Sequence, residues 1–296
     1  MSTSPLPSLS VEDTRAAFAE ELRVVCGLKS AALVEAIARV PRDRFLGPGP
    51  WLLQGEYDAG RPRMTGSADP RLVHHNISVA IDPARMLFNG QPGLVATWID
   101  GLDVQPGDRV VHVGCATGYY TALLAHLAGS AGSVTAFEVD PDLAARARTN
   151  LADLPVVEVR HGDGRTALPD AIDVLLVHAG ATHLLDEWMD RMSDRGRLLV
   201  PLTCTMPGPP GTPGTLGKGT ILRARRDAGG GWSASVGGLV MIYSLVDLRD
   251  ESRNGAIGQA LGALMRGGPA PVTRLRRDPH DAGPGCWLHG PICLSA

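Results

Sequence analysis

Hydrophobic and polar positions repeat with a helical period at the start of the chain. This period predicts one helix that begins with the capping sequence Ser10-Val-Glu-Asp13 and ends at Gly27, and a second short helix over residues 30–39. Residues 41–91 instead mix proline, glycine and aromatic residues with short apolar runs. That mixture predicts irregular structure or small strands in a lid-like region.

From Pro92 onward, strand-like apolar runs alternate with helical patterns. The predicted helices span residues 93–102, 119–128, 141–151 and 184–192, and the predicted strands span residues 109–113, 133–137, 156–160, 172–177 and 197–201. Strands that alternate with helices predict an α/β fold, in which a doubly wound, mostly parallel sheet is covered on both faces.

The composition changes after this alternating segment. Residues 206–219 are rich in proline and glycine and are predicted to form a mobile loop, whereas residues 220–225 and 235–246 predict an antiparallel hairpin at the sheet edge. We therefore divide the 296 residues into an N-terminal helical and lid region (1–91), an α/β domain (92–250) and a C-terminal extension or tail (251–296).

Composition and charge narrow the classes of partner. The chain has 28 basic and 31 acidic residues and a formal net charge of -3, so it lacks the basic surface typical of a nucleic-acid-binding protein. We expect no membrane segment, because neither a signal peptide nor a long uncharged apolar run is visible. The five widely spaced cysteines are an odd number, which indicates reduced thiols in a cytoplasmic protein.

The sharpest chemical signal is a loop of small residues between a strand and a helix of the α/β domain. The strand Arg109-Val-Val-His-Val113 leads into Gly114-Cys115-Ala116-Thr117-Gly118-Tyr119. Small residues let the backbone approach a ligand, and the N-terminus of the following helix offers unpaired N–H groups. We predict that these six loop residues bind a cofactor.

Two further turns are expected beside this loop, at the ends of the next two strands. Glu138, followed by Val139, is placed to accept hydrogen bonds from both hydroxyls of a ribose, and Gly162-Asp163-Gly164 can present a carboxylate to an exocyclic amine. Neither the third small residue of a nicotinamide-binding loop nor a Walker phosphate loop is present. The pattern therefore favours S-adenosylmethionine, a nucleoside cofactor without phosphates.

A series of motifs resembles the protein-L-isoaspartate O-methyltransferase family. They follow in the order Ala38-Arg-Val-Pro41-Arg-Asp-Arg-Phe45, the loop Gly114 to Tyr119, Phe137-Glu-Val-Asp140, Gly162-Asp-Gly164, Gly196-Arg-Leu-Leu-Val-Pro201 and Val240-Met-Ile-Tyr243. The resemblance covers residues 30–250. It implies a class I, Rossmann-like methyltransferase that transfers the methyl group of S-adenosylmethionine to a carboxylate of a peptide or protein and releases S-adenosylhomocysteine.

The sequence departs from the family pattern at the segment before the first helix of the cofactor domain. The family has a Thr-Ile-Ser-x-Pro type of segment there, whose serine contacts the isoaspartyl substrate, whereas this chain has Phe88-Asn89-Gly90-Gln91-Pro92. The match places Asn89 and Gln91 as candidate catalytic residues and Gly90 as a cofactor-binding residue. Because the serine is missing, we predict weak methylation of ordinary isoaspartyl peptides.

The methyl acceptor decides whether a general base is needed. A carboxylate needs none, while a phenol, amine or amide does, and His75, His178 and His183 are the candidate bases. We take His178 as the third candidate catalytic residue, because it follows the strand that ends at Val177; capping of that strand is the structural alternative. Two other functions stay open: methylation of a small natural product, and a non-catalytic cofactor-binding subunit.

The C-terminal tail contains His280 and the sequence Cys286-Trp-Leu-His289-Gly-Pro-Ile-Cys293. The Cys-x2-His-x3-Cys spacing can hold zinc with His280 or Cys204 as the fourth ligand. A run of this kind is more often an apolar strand with buried thiols. The sequence-based prediction is therefore that no metal is bound.

Overall fold

Two β-sheets organise the part of the chain that the computed structural model describes, residues 9–55, 61–205, 216–266 and 272–296. The helices are α1 (Val11–Val25), α2 (Ala31–Arg39), α3 (Pro92–Leu102), α4 (Tyr119–Ala128), α5 (Pro141–Asn150), α6 (Asp186–Asp190) and α7 (Asn254–Met265). The strands of the smaller sheet are β1 (Leu52–Gln54), β2 (Arg63–Met64), β3 (Ser78–Asp82) and β4 (Leu87–Phe88). The strands of the larger sheet are β5 (Arg109–Val113), β6 (Ser133–Glu138), β7 (Val157–His161), β8 (Ile172–Val177), β9 (Met192–Thr205), β10 (Leu216–Arg226), β11 (Trp232–Tyr243), β12 (Arg274–Arg276), β13 (Cys286–Leu288) and β14 (Cys293–Ser295).

The larger sheet has a parallel half and an antiparallel half. Its strand order is β13-β14-β12-β11-β10-β9-β8-β5-β6-β7, and the pairs from β9 through to β7 are parallel. The predicted α/β fold is confirmed for this parallel half, in which every residue of β8 is buried because layers of side chains cover both faces. The antiparallel half is larger than the predicted hairpin, since the C-terminal extension adds β12, β13 and β14.

The N-terminal helices pack onto the α/β domain through a shared core. Phe18 and Leu22 of α1 and Leu33 and Ile37 of α2 are buried in the same apolar cluster as Trp98 of α3. The predicted cap of α1 is present, because the Ser10 side chain accepts a hydrogen bond from the Asp13 N–H. Helix α3, which leads to the functional site, is thus supported from its outer side.

One buried cation connects the smaller sheet to the start of α3. Arg42 is fully buried, and its guanidinium donates hydrogen bonds to the carbonyl oxygens of Val73 (2.6 Å) and Ile77 (2.7 Å) and to Asn89 Oδ1 (3.1 Å). It also donates to the carbonyl oxygen of His75 at 3.2 Å. The sequence predicted irregular structure or small strands for residues 41–91. The described residues of this segment form a small sheet next to the buried guanidinium of Arg42.

Two predicted elements have different boundaries in the structure. The helix predicted over 184–192 is the short α6, because Met192 already pairs with Ile172 as the first residue of β9. Of the loop predicted over 206–219, residues 206–215 lie outside the described residues, and the rest is strand. Strand β10 requires glycine at positions 217 and 219, because a Cβ atom there would collide with Thr203 or Leu202 of the adjacent strand.

None of the helices in the described ranges combines the length and the hydropathy that are needed to cross a lipid bilayer.

Candidate functional site

A cavity of about 600 Å³ opens at the carboxyl ends of β5, β6 and β8. Open α/β sheets bind ligands at this edge, and the volume suits a small molecule of nucleoside size. Most of the residues predicted from the sequence line it, namely Asn89, Gly90, Gln91, Gly114, Cys115, Ala116, Thr117, Tyr119, Glu138, Val139, Gly162, Asp163 and His178.

The loop after β5 and the carboxylate after β6 are joined by hydrogen bonds. Glu138 is buried, and its two oxygens accept from the backbone N–H groups of Ala116 (2.7 Å) and Asp140 (3.1 Å). Gly114 and Ala116 adopt left-handed conformations, with φ of +81° and +49°, which turn the loop towards this carboxylate. Burial raises the pKa of Glu138, although the two backbone hydrogen bonds oppose the shift.

Two of the predicted cofactor residues do not line the cavity. Gly118 precedes α4 with φ of +98°, and a Cβ atom there would stand 2.7 Å from Leu151. A Cβ atom at Gly164 would stand 2.9 Å from Val113. Close packing beneath the loops is therefore sufficient to require glycine at 118 and 164, and their contact with the cofactor stays a prediction.

The third turn places Asp163 at the cavity wall, where it is partly exposed. Its carboxylate accepts from the Arg165 N–H at 2.9 Å and forms an ion pair with the Arg165 guanidinium at 3.3 Å. The neighbouring Gly162 leaves open space where a side chain would stand. Asp163 is thus held by one residue and keeps accepting capacity on the side of the cavity.

The segment between β4 and α3 forms the opposite wall. Asn89 is buried, and its Oδ1 accepts from Arg42 and from the Val79 N–H, while its Nδ2 has no hydrogen-bond partner among the described residues. Gly90 follows with φ of +78°, and its carbonyl accepts from Tyr120 Oη at 3.4 Å. Gln91 is the N-cap residue of α3. A buried amide donor is therefore available beside the cavity.

His178 lies on the cavity wall within a cluster of rings. Its imidazole stacks on His112 at 5.8 Å and meets Tyr120 and Trp98 edge to face at 5.1 and 5.8 Å. Burial lowers the pKa of His178 to about 4, so its side chain is neutral at physiological pH. A base of such low pKa is a weak proton acceptor.

The other two candidate bases lie outside the cavity lining. His183 contacts Thr182 Oγ1 through Nδ1, and His75 offers its backbone carbonyl to Arg42. The neighbouring Asn76 caps α3, because its Oδ1 accepts from the Gly93 N–H at 2.8 Å. The structure thus brings His178 to the site, and it leaves His75 and His183 in the surrounding framework.

Arg85 and Tyr243 line the cavity, but the sequence analysis did not predict them as site residues. Arg85 donates to Asp82 at 2.6 Å and also pairs with Asp140, which links the smaller sheet to the turn after Glu138. Tyr243, at the end of β11, donates from Oη to the Met86 carbonyl at 2.5 Å. Tyr243 belongs to a motif of the family resemblance, which was its available signal; Arg85 lies in the irregular 41–91 segment and had none.

The lining can accommodate the ribose and the apolar parts of an adenosyl group. Each oxygen of Glu138 accepts one backbone hydrogen bond, and a carboxylate has about four lone-pair sites, so it retains capacity for two ribose hydroxyls. Apolar residues such as Leu94, Trp98 and Leu245 form much of the remaining wall. Cys115 is buried, which raises the pKa of its thiol and makes it a poor nucleophile.

Comparisons of the sequence with known proteins point to one family. The family model described as Protein-L-isoaspartate(D-aspartate) O-methyltransferase (PCMT) matches residues 72–206. A protein-L-isoaspartate O-methyltransferase of Methylorubrum extorquens (strain PA1) is 34% identical over 212 residues, which are 71% of this chain and 79% of the relative. The enzyme of the same name from Methylorubrum populi is 32% identical over 200 residues, 67% of this chain and 81% of the relative.

Solved structures share the fold. The putative protein-L-isoaspartate O-methyltransferase of Plasmodium falciparum, determined in complex with S-adenosyl-L-homocysteine, superposes with a TM-score of 0.58 at 15% identity, over 78% of this chain and 98% of that one. A further protein-L-isoaspartate O-methyltransferase structure gives a TM-score of 0.55 at 18% identity, over 89% of this chain and 72% of that one. These structures show the fold, and the sequence matches establish that the chain belongs to the protein-L-isoaspartate O-methyltransferase family of S-adenosylmethionine-dependent methyltransferases.

Proposed function

We propose that this protein esterifies a carboxylate of a peptide or protein with the methyl group of S-adenosylmethionine in the cavity at the carboxyl ends of β5, β6 and β8. The observation that carries the proposal is the buried Glu138 carboxylate, which the N–H groups of Ala116 and Asp140 hold beside the cavity. Such a carboxylate at the end of the second strand of an α/β sheet is suited to bind the ribose of a nucleoside cofactor.

Three turns would hold the cofactor. Glu138 accepts from the ribose hydroxyls, Asp163 accepts from the exocyclic amine of the adenine, and the loop from Gly114 to Thr117 lets the methionyl part approach the backbone. When bound, S-adenosylmethionine supplies an electrophilic methyl group on a positively charged sulfur.

Amide groups at the opposite wall would orient the acceptor. Asn89 Nδ2 is a buried donor without a partner in the described part of the chain, and Gln91 lines the same wall. A carboxylate accepts hydrogen bonds from such donors and is already ionised at neutral pH. Asn89 and Gln91 therefore position the nucleophilic oxygen without a proton transfer.

The low pKa of His178 supports a carboxylate as the methyl acceptor. Its low pKa leaves a neutral imidazole that is too weak a base to activate an amine or a phenol efficiently. As a neutral ring beside Trp98 and Tyr120, it narrows the cavity and displaces water. Methyl transfer is an in-line displacement, for which alignment and exclusion of water contribute much of the acceleration.

The acceptor is proposed to be a carboxylate other than that of an ordinary isoaspartyl peptide. Gly90 stands where the family resemblance implies the substrate-contacting serine, so the cavity lacks that hydroxyl. A site without a matched polar partner can lose orders of magnitude in discrimination.

An acceptor panel tests the proposal. The protein is incubated with methyl-labelled S-adenosylmethionine and an isoaspartyl peptide, linear aspartyl and glutamyl peptides, cell extract, or small carboxylic acids. We expect label on a peptide or protein that mild base releases as methanol, and an isoaspartyl kcat/KM below roughly 10⁴ M⁻¹s⁻¹, the lower end of the usual enzyme range. Base-stable label, or label confined to small molecules, would contradict the proposal.

The cysteines support a cytoplasmic location, which we propose as well. Cys115, Cys204, Cys286 and Cys293 form no disulfide in the described part of the chain. Unpaired cysteines are typical of a reducing compartment. Alkylation of the protein in intact cells, followed by mass spectrometry, would test whether the thiols are reduced there.

A further inference from the structure

The C-terminal extension brings two histidines and two cysteines together. One potential ligand atom from each of His280, Cys286, His289 and Cys293 lies within 4.8 Å of the other three. The Cys286 Sγ atom stands 3.6 Å from His280 Nε2, and the rings of His280 and His289 meet at nearly a right angle, with centroids 5.1 Å apart. Two cysteine sulfur atoms and two histidine nitrogen atoms, all potential metal ligands, thus lie close together.

The strand pairing explains how residues distant in sequence meet. Cys286 is opposite Ser295 across β13 and β14, and Cys293 lies two residues before Ser295, so the two cysteines share one face of the sheet. His289 directly follows β13, and His280 lies in the connection that leads from β12 back to β13. The sequence spacing revealed three of the four residues, but only the fold selects His280 as the fourth.

The hydrogen bonding of His280 prepares it as a ligand. Its Nδ1 lies 2.7 Å from the Asp278 carbonyl oxygen, which can only accept, so Nδ1 carries the proton. The lone pair is then on Nε2, the nitrogen that faces Cys286. Histidines that bind metals commonly donate their other ring N–H to a carbonyl or carboxylate in this way.

We propose that His280, Cys286, His289 and Cys293 bind one zinc ion. Tetrahedral zinc with bonds of about 2.0–2.3 Å to nitrogen and sulfur places its ligand atoms about 3.3–3.8 Å apart. The Cys286–His280 separation lies in this range, and no separation exceeds it by more than about 1 Å, which side-chain rotation can supply. Two thiolates and two imidazoles are the ligand set that selects zinc among the common divalent ions.

The site is structural rather than catalytic. Four protein ligands complete a tetrahedral shell and leave no open position for a substrate. None of the four lines the cavity described above, so the inference does not depend on the proposed function. The ion would fasten the ends of β13 and β14 to the β12–β13 connection, and thereby hold Leu288 and Leu294 in the apolar core that they share with β9. This proposal departs from the sequence-based prediction that no metal is bound.

Metal analysis of the full-length protein tests the site. The tag-free protein is purified under reducing conditions without added metal, and zinc is measured in the wild type, in Cys286→Ser and in Cys204→Ser. Cys204 is a free, half-buried thiol of β9 outside the cluster, so its variant is the matched control. We expect one equivalent of zinc in the wild type and in Cys204→Ser, and its loss in Cys286→Ser.

A spectroscopic measurement on the wild type avoids dependence on how a variant folds. Chelator-treated protein is titrated with Co²⁺, and we expect intense visible bands of tetrahedral coordination, together with a thiolate charge-transfer band, to saturate at one equivalent. Absence of stoichiometric zinc and of these cobalt bands would overturn the proposal. So would retention of zinc in Cys286→Ser, or an intact mass that shows a Cys286–Cys293 disulfide in the reduced preparation.

Discussion

His178 Nε2 lies 3.4 Å from the point where a Cβ atom would stand at Gly90. The imidazole follows β8 and the glycine precedes α3, so the two residues belong to different walls of the cavity. Gly90 also has φ of +78°, a backbone conformation that is unfavourable for any residue with a side chain. The family resemblance implies a serine at position 90, but the backbone conformation and the neighbouring His178 favour glycine there.

Restoring the serine should not restore isoaspartyl activity. Gly90→Ser is expected to cost about 1–3 kcal/mol of stability, because a non-glycine residue is forced into the left-handed region beside His178. Gly90→Ala is the matched control, since it imposes the same strain without the hydroxyl. Denaturant unfolding and isoaspartyl assays of both variants check this: a rate that rises strongly in Gly90→Ser alone would show that the hydroxyl is the missing feature.

Arg42 should be among the most sensitive positions in the smaller sheet. Arg42→Met leaves the carbonyls of Val73 and Ile77 and the Asn89 Oδ1 without their buried donor, and each loss costs about 1–3 kcal/mol. We expect destabilisation of about 3 kcal/mol or more in urea unfolding. The control Arg44→Ala removes an exposed ion pair with Asp153, which is worth about 0–1 kcal/mol. Equal effects of the two substitutions would refute the role assigned to the buried guanidinium.

The free energy of unfolding should fall as the pH falls through the ordinary pKa of histidine. Burial lowers the pKa of His112 well below its usual value, so the unfolded chain binds a proton near pH 6.5 that the folded chain does not. Between about pH 7 and about pH 5, His112 alone should remove about 2 kcal/mol from the free energy of unfolding. His178, with its pKa lowered to about 4, acts in the same direction.

Non-titrating variants measure the His112 contribution. In urea unfolding at these two pH values, His112→Gln should show a smaller loss of stability than the wild type, whatever its absolute stability. His126→Gln, which replaces an exposed histidine of α4, is the control substitution. An unchanged loss in His112→Gln would show that the imidazole is not buried in its neutral form.

The sequence was sufficient to predict those elements in which the local residue pattern and the tertiary structure agree. The run Arg109–Val113 and the loop after it were predicted because a buried strand followed by small residues has few alternative structures. The convergence of Glu138, Asp163 and His178 followed from the rule that parallel strands end at one edge of the sheet.

The features that the sequence missed depend on long-range packing. Arg42 has a polar side chain in a segment without periodicity, and only its carbonyl partners explain its burial. Leu216 to Gly219 have the composition of a loop, but pairing along β9 extends them as a strand. Gly118 and Gly164 follow the pattern of cofactor contacts, while the neighbours that require glycine, Leu151 and Val113, are distant in sequence.

The most direct test of the central claim, that this cavity holds S-adenosylmethionine against Glu138, is calorimetric titration with S-adenosylhomocysteine. The wild type and the control Glu158→Ala, which alters an exposed carboxylate of β7, should bind with the same affinity. Glu138→Ala should bind at least about tenfold more weakly, because it loses charge-assisted hydrogen bonds worth about 1.5–3 kcal/mol. Equal affinity in the wild type and Glu138→Ala would contradict the account.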